Sequence, residues 1–161
     1  MRHGLAYVIY ARLLCASMIL ILGGSANAQQ SDPEGVKATI VAFHAALGTL
    51  DSAKVEEFWA HESYVLTINP RDKAVSIGWD AVRNSYVATF GFWSELEVIQ
   101  KDGLQIRVSG AVAWTTGITS AAGKTKTGDA IMGVLNFETC VLEKRDGRWL
   151  LVSRSVWRVP Q

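Results

Sequence analysis

A histidine and a glutamate stand side by side in the stretch VEEFWAHESYVLTINP, residues 55–70, where a helical pattern gives way to an alternating one. Imidazole beside carboxylate is a pairing that general acid–base catalysis uses, the histidine moving a proton near neutral pH. Neighbouring residues of a strand project to opposite faces, however, so His61 and Glu62 cannot act together on one substrate. His61 therefore reads in one of two ways: as a polar residue on the lip of a pocket, or as a histidine at a helix C-terminus, favoured there by the helix dipole.

The other groups able to do chemistry are few. His44 lies beside the apolar stripe of an earlier helix and reads as a satisfied core or boundary residue. Cys140 has no histidine near it in sequence and reads as a small buried hydrophobe on a strand rather than a nucleophile. His44 and His61 are the only histidines beyond the N-terminal segment, too few for a histidine-rich metal site, and nothing in the spacing points to a metal or a cofactor. The segment Gly117 to Thr125, GITSAAGKT, imitates a phosphate-binding loop, but five residues rather than four separate its glycines and a strand follows it. It reads as a flexible hairpin loop. Among 6 tryptophans, Trp79 and Trp149 read as core, whereas Trp93 and Trp114 are candidates for a pocket wall suited to a small, flat, mostly apolar ligand.

The elements that position these groups follow from periodicity. Asp32-Pro33-Glu34 has the chemistry of a helix start, and Val36, Ile40, Phe43, Leu47 and Leu50 then recur at helical spacing. Asp51-Ser52 caps a shorter helix through Phe58-Trp59. A strand is expected from His61, then a loop at Asn69-Pro70-Arg71-Asp72-Lys73, and a third helix carrying Trp79, Val82, Tyr86, Phe90 and Trp93. Beyond Glu95 the pattern is strands: 96–100, 104–108, 112–119, 131–143 and 148–159, with Asp-Gly and Ser-Gly dipeptides at the turns. Helices in front and strands behind imply an α+β fold, a strongly curved antiparallel sheet wrapped around three N-terminal helices, with a cavity at its open end.

The first residues have a different purpose. Arg2 and Arg12 precede an apolar run from Leu13 to Leu22, and Ala26-Asn27-Ala28 supplies an A-x-A cleavage pattern, so residues 1–28 are expected to be a secretory signal peptide and 29–161 the folded domain. A periplasmic or secreted location follows, with no membrane attachment after cleavage. Losing those two arginines from 16 basic and 15 acidic side chains leaves 14 and 15, a formal charge of −1, which offers no footprint for nucleic acid. Only Cys140 would survive processing, so no intramolecular disulfide can form.

Helix, short Asp-initiated helix, W-A-H-E-S-Y strand, G-W-D-A-V-R helix start (Gly78 to Arg83) and a last hairpin at D-G-R-W (Asp146 to Trp149) together resemble the SnoaL-like (DUF4440-type) branch of the NTF2-like superfamily. The resemblance spans about Val36 to Trp157 and implies a cone-shaped α+β barrel, often paired as a homodimer through the outer face of the sheet. Ketosteroid isomerases are distantly similar. Their general-base aspartate precedes a proline, and here Asn69 precedes Pro70. Their oxyanion-hole tyrosine and aspartate fall at Phe43 and Thr139, with Glu138 pointing inward instead if the comparison slips by one residue. A histidine that many SnoaL-like proteins carry on the last strand is absent from Ser153-Arg154-Ser155-Val156-Trp157. The resemblance thus implies a pocket that binds a small molecule without the isomerase catalytic set. The candidate ligand-binding residues are His61, Tyr64, Asn69, Trp93, Trp114, Glu138 and Thr139. The competing expectations are an isomerase, cyclase or hydrolase with His61 as acid–base, and a homodimeric interaction module.

Overall fold

The computed structural model describes residues 32–101 and 103–160, so the expected signal peptide lies outside the described residues. Helix α1 (Asp32–Gly48) carries its acids, Asp32 and Glu34, in the first turn, where the helix dipole favours them. It buries Val36, Ile40, Phe43 and Leu47, the stripe expected from their spacing, together with His44. Helix α2 (Ser52–Glu56) is capped by Asp51, whose carboxylate accepts from the Ala53 N–H at 2.9 Å. Helix α3 (Trp79–Phe92) starts after Gly78.

Three features differ from the sequence reading. The strand expected from His61 begins only at Leu66: β1 (Leu66–Ile68) is short, and Val65, Thr67 and Asn69 are its buried set. A two-residue strand, β2 (Ser76–Ile77), folds back on it. Trp93 does not end α3; it begins β3 (Trp93–Gln100). And the GITSAAGKT segment is not a loop. It is the second half of β5 (Val112–Thr125), paired with β3 on one side and with β6 (Ala130–Arg145) on the other. The hairpin turn sits beyond it, between Thr125 and Ala130.

With β4 (Gln105–Ser109) and β7 (Arg148–Arg158), these strands make one 7-stranded sheet ordered β2-β1-β7-β6-β5-β3, with β4 also on β5. The expected antiparallel pairing holds except between β1 and β7, which run parallel. The sheet curves without closing. Register shifts between β5 and β6 at Ala121/Gly123, and between β6 and β7 where Val152 is skipped opposite Val141/Leu142, mark bulges, which increase local twist and bend. Helices α1 and α3 fill the concave side, where Phe43 meets Phe58 and Tyr86 edge-on at ring separations of 6.0 and 6.3 Å. Burying such aromatic and aliphatic side chains contributes about 1.5–3 kcal/mol each.

Candidate functional site

Between α3, the Asn69–Arg71 loop and the concave face of the sheet lies a cavity of about 100 Å³. Its apolar wall comes from Leu47, Phe92, Trp93, Leu96, Val134 and Val156. Its polar wall comes from Asn69, Tyr86, Thr119, Asn136 and Arg154, and Arg71 and Arg158 also border it. Strand pairing explains the polar row. Thr119 on β5 faces Asn136 on β6, which faces Arg158 on β7. Because alternate residues of a strand share a face, Arg154, Val156 and Arg158 all turn inward.

Behind this wall runs a buried network. Arg154 donates from Nε to Glu138 Oε1 at 2.6 Å and from Nη1 to Asn69 Oδ1 at 2.8 Å. His44 Nε2 lies 2.7 Å from Glu138 Oε2 and donates to that carboxylate. Asn69 Nδ2 in turn donates to Ser85 Oγ at 2.8 Å and to Asp72 Oδ2 at 3.2 Å, and the Ser85 hydroxyl also reaches Asp72. Burial by itself would raise the Glu138 pKa, but the Arg154 charge and the hydrogen bonds from both partners outweigh it and bring it down from 4.5 to about 2. Glu138 is therefore a fixed anion that anchors Arg154 against the cavity. It is not a proton donor at neutral pH. Burial likewise pushes the Tyr86 phenol up to about 12, against the pull of Arg154, so Tyr86 remains a neutral hydroxyl.

Of the residues singled out in the sequence, Asn69 and Trp93 line the cavity and Glu138 lies directly behind it. Four others do not reach it. His61 is exposed, stacked on Trp79 with ring centroids 4.1 Å apart, and its Nε2 lies 3.1 Å from the Glu56 carbonyl at the end of α2. That is the helix C-terminal placement. Tyr64, 49% exposed, donates to Glu143 at 2.8 Å and accepts from Arg145 in a surface cluster that also pairs Arg145 with Glu62. Trp114, 46% exposed, faces outward between the buried Ala113 and Thr115, so it cannot be a wall of this cavity. Thr139 occupies the opposite face of β6 from Glu138, because neighbours on a strand alternate. Phe43 is in the core, and Cys140 is buried with its thiol pKa raised mainly by that burial, which leaves it inert at neutral pH. Among the described residues, no three His, Cys, Asp or Glu side chains gather as metal ligands would.

The inward arginines were missed in the sequence, although the signal was there: arginines four apart on a strand, separated by an inward valine, lie on one face.

Residues 36–156 match the SnoaL-like domain family. The chain belongs to that family. No curated protein matches the sequence. Solved structures share the SnoaL-like fold at low identity. An NTF2-like superfamily protein from Salmonella enterica serovar Typhimurium is 16% identical and superimposes with a TM-score of 0.73 over 80% of this chain and 92% of its own. A protein of the NTF2-like family from Streptomyces avermitilis, 20% identical, gives 0.70 over 80% and 96%. A ketosteroid isomerase-like protein from Erwinia carotovora atroseptica, 16% identical, gives 0.68 over 82% and 99%. The mixed α+β architecture of this SnoaL-like domain, a curved and unclosed sheet over three helices, is thus the NTF2-like one.

Proposed function

We propose that the protein is a periplasmic or secreted SnoaL-like domain that binds a small apolar or aromatic molecule in the cavity beneath α3, without the acid–base set of a ketosteroid isomerase. The observation that carries this reading is the residue at the cavity where those enzymes place their base: Asn69, a carboxamide that cannot abstract a proton and is already engaged by Arg154, Ser85 and Asp72. The aromatic wall formed by Phe92 and Trp93 supports the ligand class. A reaction run by His61 finds no support, since that ring stacks on Trp79 away from the cavity. The signal-peptide pattern expected in residues 1–28 supports the location.

Native mass spectrometry of protein purified from the exported fraction, followed by release of the bound molecule, tests this reading. Wild type is expected to release a defined small molecule, Trp93→Ala to lose it, and His61→Ala to release it unchanged. An empty wild-type protein, or loss in His61→Ala with Trp93→Ala unaffected, would refute the cavity as the site.

A second reading accompanies the first. The outer sheet face exposes Trp114, Leu135 and Trp157, with Phe137 packed against Trp157 at a ring separation of 5.2 Å. This face is where we place a second copy of the chain, as a homodimer contact. Light scattering is expected to give a dimer mass for wild type and a monomer mass for Trp114→Arg; a monomeric wild type would remove the idea.

A further inference from the structure

Resting on the cavity reading above, we propose that the ligand is an apolar or aromatic monocarboxylate, its acid group met by Arg154, Arg158 and the Tyr86 hydroxyl and its hydrocarbon part by Phe92, Trp93 and Val134.

The charge balance of the cavity leads to this class. Three arginines border it, Arg71, Arg154 and Arg158, and no Asp or Glu does. Two carboxylates stand behind its polar wall: Glu138, paired with Arg154, and Asp72, which accepts from Asn69 and Ser85. Three arginines against two carboxylates leave positive charge in excess around the cavity, matched by an anionic group such as a carboxylate. Neither Arg71 nor Arg158 has an ion-pair partner among the described residues, and Arg71 lies over the Phe92 ring at 3.2 Å, a position at the rim that combines cation and apolar wall.

Donors are also left over. The Tyr86 residue is 1% exposed and lines the cavity, and its hydroxyl, beside that of Thr67, has no well-formed hydrogen bond among the described residues. A buried polar group left without a partner is costly, so the Tyr86 hydroxyl is a reason to expect a hydrogen-bond acceptor in the cavity. Arg154 uses Nε and Nη1 on Glu138 and Asn69, and no described residue accepts from its Nη2. Guanidinium and phenol N–H and O–H groups are donors only toward an anion, and hydrogen bonds to a charged oxygen are about twice as strong as neutral ones. Glu138 prevents Arg154 from swinging away, so the donor is held in place before the ligand arrives. Most of the remaining lining is apolar, from Leu47, Phe92, Trp93, Leu96, Val134 and Val156, which suits a hydrocarbon remainder of the ligand.

Isothermal titration with matched pairs of probes tests the assignment: benzoate against benzamide, and hexanoate against hexanamide. Each acid is expected to bind roughly tenfold or more tightly than its amide. Arg158→Gln, a change at an exposed residue outside the buried network, is expected to remove most of that preference while leaving the amides where they were, and Arg158→Lys to restore part of it. Amides that bind as tightly as the acids, or an acid affinity unchanged in Arg158→Gln, overturn the proposal. The outcomes separate the two readings. If the amides bind and Trp93→Ala abolishes that binding, the cavity reading stands and the carboxylate assignment falls. If no probe binds and native mass spectrometry finds the protein empty, both fall. A molecule released from the native protein decides in the same sense: a carboxylic acid supports the assignment, a neutral compound refutes it.

Discussion

Replacing Glu138 by leucine is expected to cost about 3–5 kcal/mol of stability, which for a domain of this size is a fall in Tm of roughly 10–20 °C. The reason lies less in the attraction that is lost than in what remains. Arg154 is 5% exposed and keeps its full charge; without Glu138 its only remaining hydrogen-bond acceptor among the described residues is the Asn69 side-chain oxygen, and His44 is left buried with no acceptor for Nε2. An uncompensated buried charge is what makes breaking such a pair so expensive, whereas removing the entire group is often nearly neutral. The triple variant His44→Leu, Glu138→Leu, Arg154→Met is therefore expected to be more stable than Glu138→Leu alone. Urea denaturation of the three proteins decides the matter: a triple variant weaker than the single one would mean that the network contributes net stability rather than a fixed geometry.

The same residue gives the pH dependence its sign. The Glu138 pKa is lowered on folding, from 4.5 to about 2, so its contribution is fully present above about 4.5 and is lost as the pH falls through that window. Wild type should lose stability between those values, and Glu138→Leu should show a flatter acid limb. Because ion-paired Glu138 also holds the Arg154 guanidinium against the cavity, any ligand dependence on Arg154 should fade over the same range.

What sequence could and could not give is clearest at this network. Helical spacing placed Phe43 and Leu47 in the core, and Pro70 fixed Asn69 at the head of the loop that borders the cavity. Local chemistry is enough for such features. The pairing of His44 with Glu138 joins residues 94 apart, and it depends on which face of β6 turns inward. A one-residue slip exchanges Glu138 with Thr139, and no local pattern decides between them, because both flanking runs alternate. Trp114 failed for a related reason. Its apolar surface is as suitable for an outer sheet face as for an inner one, and only the burial of Ala113 and Thr115 on either side settles that it points out. His61 was misplaced into a strand because the alternating run began five residues before the backbone actually extends at β1.

Gly123 is where a misread segment becomes the most sensitive backbone position. It belongs to the stretch whose glycines and small residues suggested a loop, yet it sits in β5 opposite Leu96, next to the bulge at Ala121, with φ at +156°. A methyl group there would lie 2.0 Å from the Glu95 carbonyl oxygen and 2.8 Å from its carbon. Both are backbone atoms of the paired strand, so no side chain can swing aside, and β3 must move. Gly123→Ala is therefore expected to cost about 3 kcal/mol or more. Gly91→Ala, in α3 with nothing within 4 Å of the added carbon, should instead gain about 0.5–1 kcal/mol. The displacement would also reach the cavity, since Trp93 and Leu96 are carried by β3 and Ala121 lies just before the bulge. Gly123→Ala should thus lower both the melting temperature and the affinity for any cavity ligand, while Gly91→Ala raises the first and leaves the second alone. Equal melting temperatures for Gly123→Ala and wild type would show that β3 and β5 do not approach as closely as this bulge requires, and would remove the reason for the bend that opens the cavity.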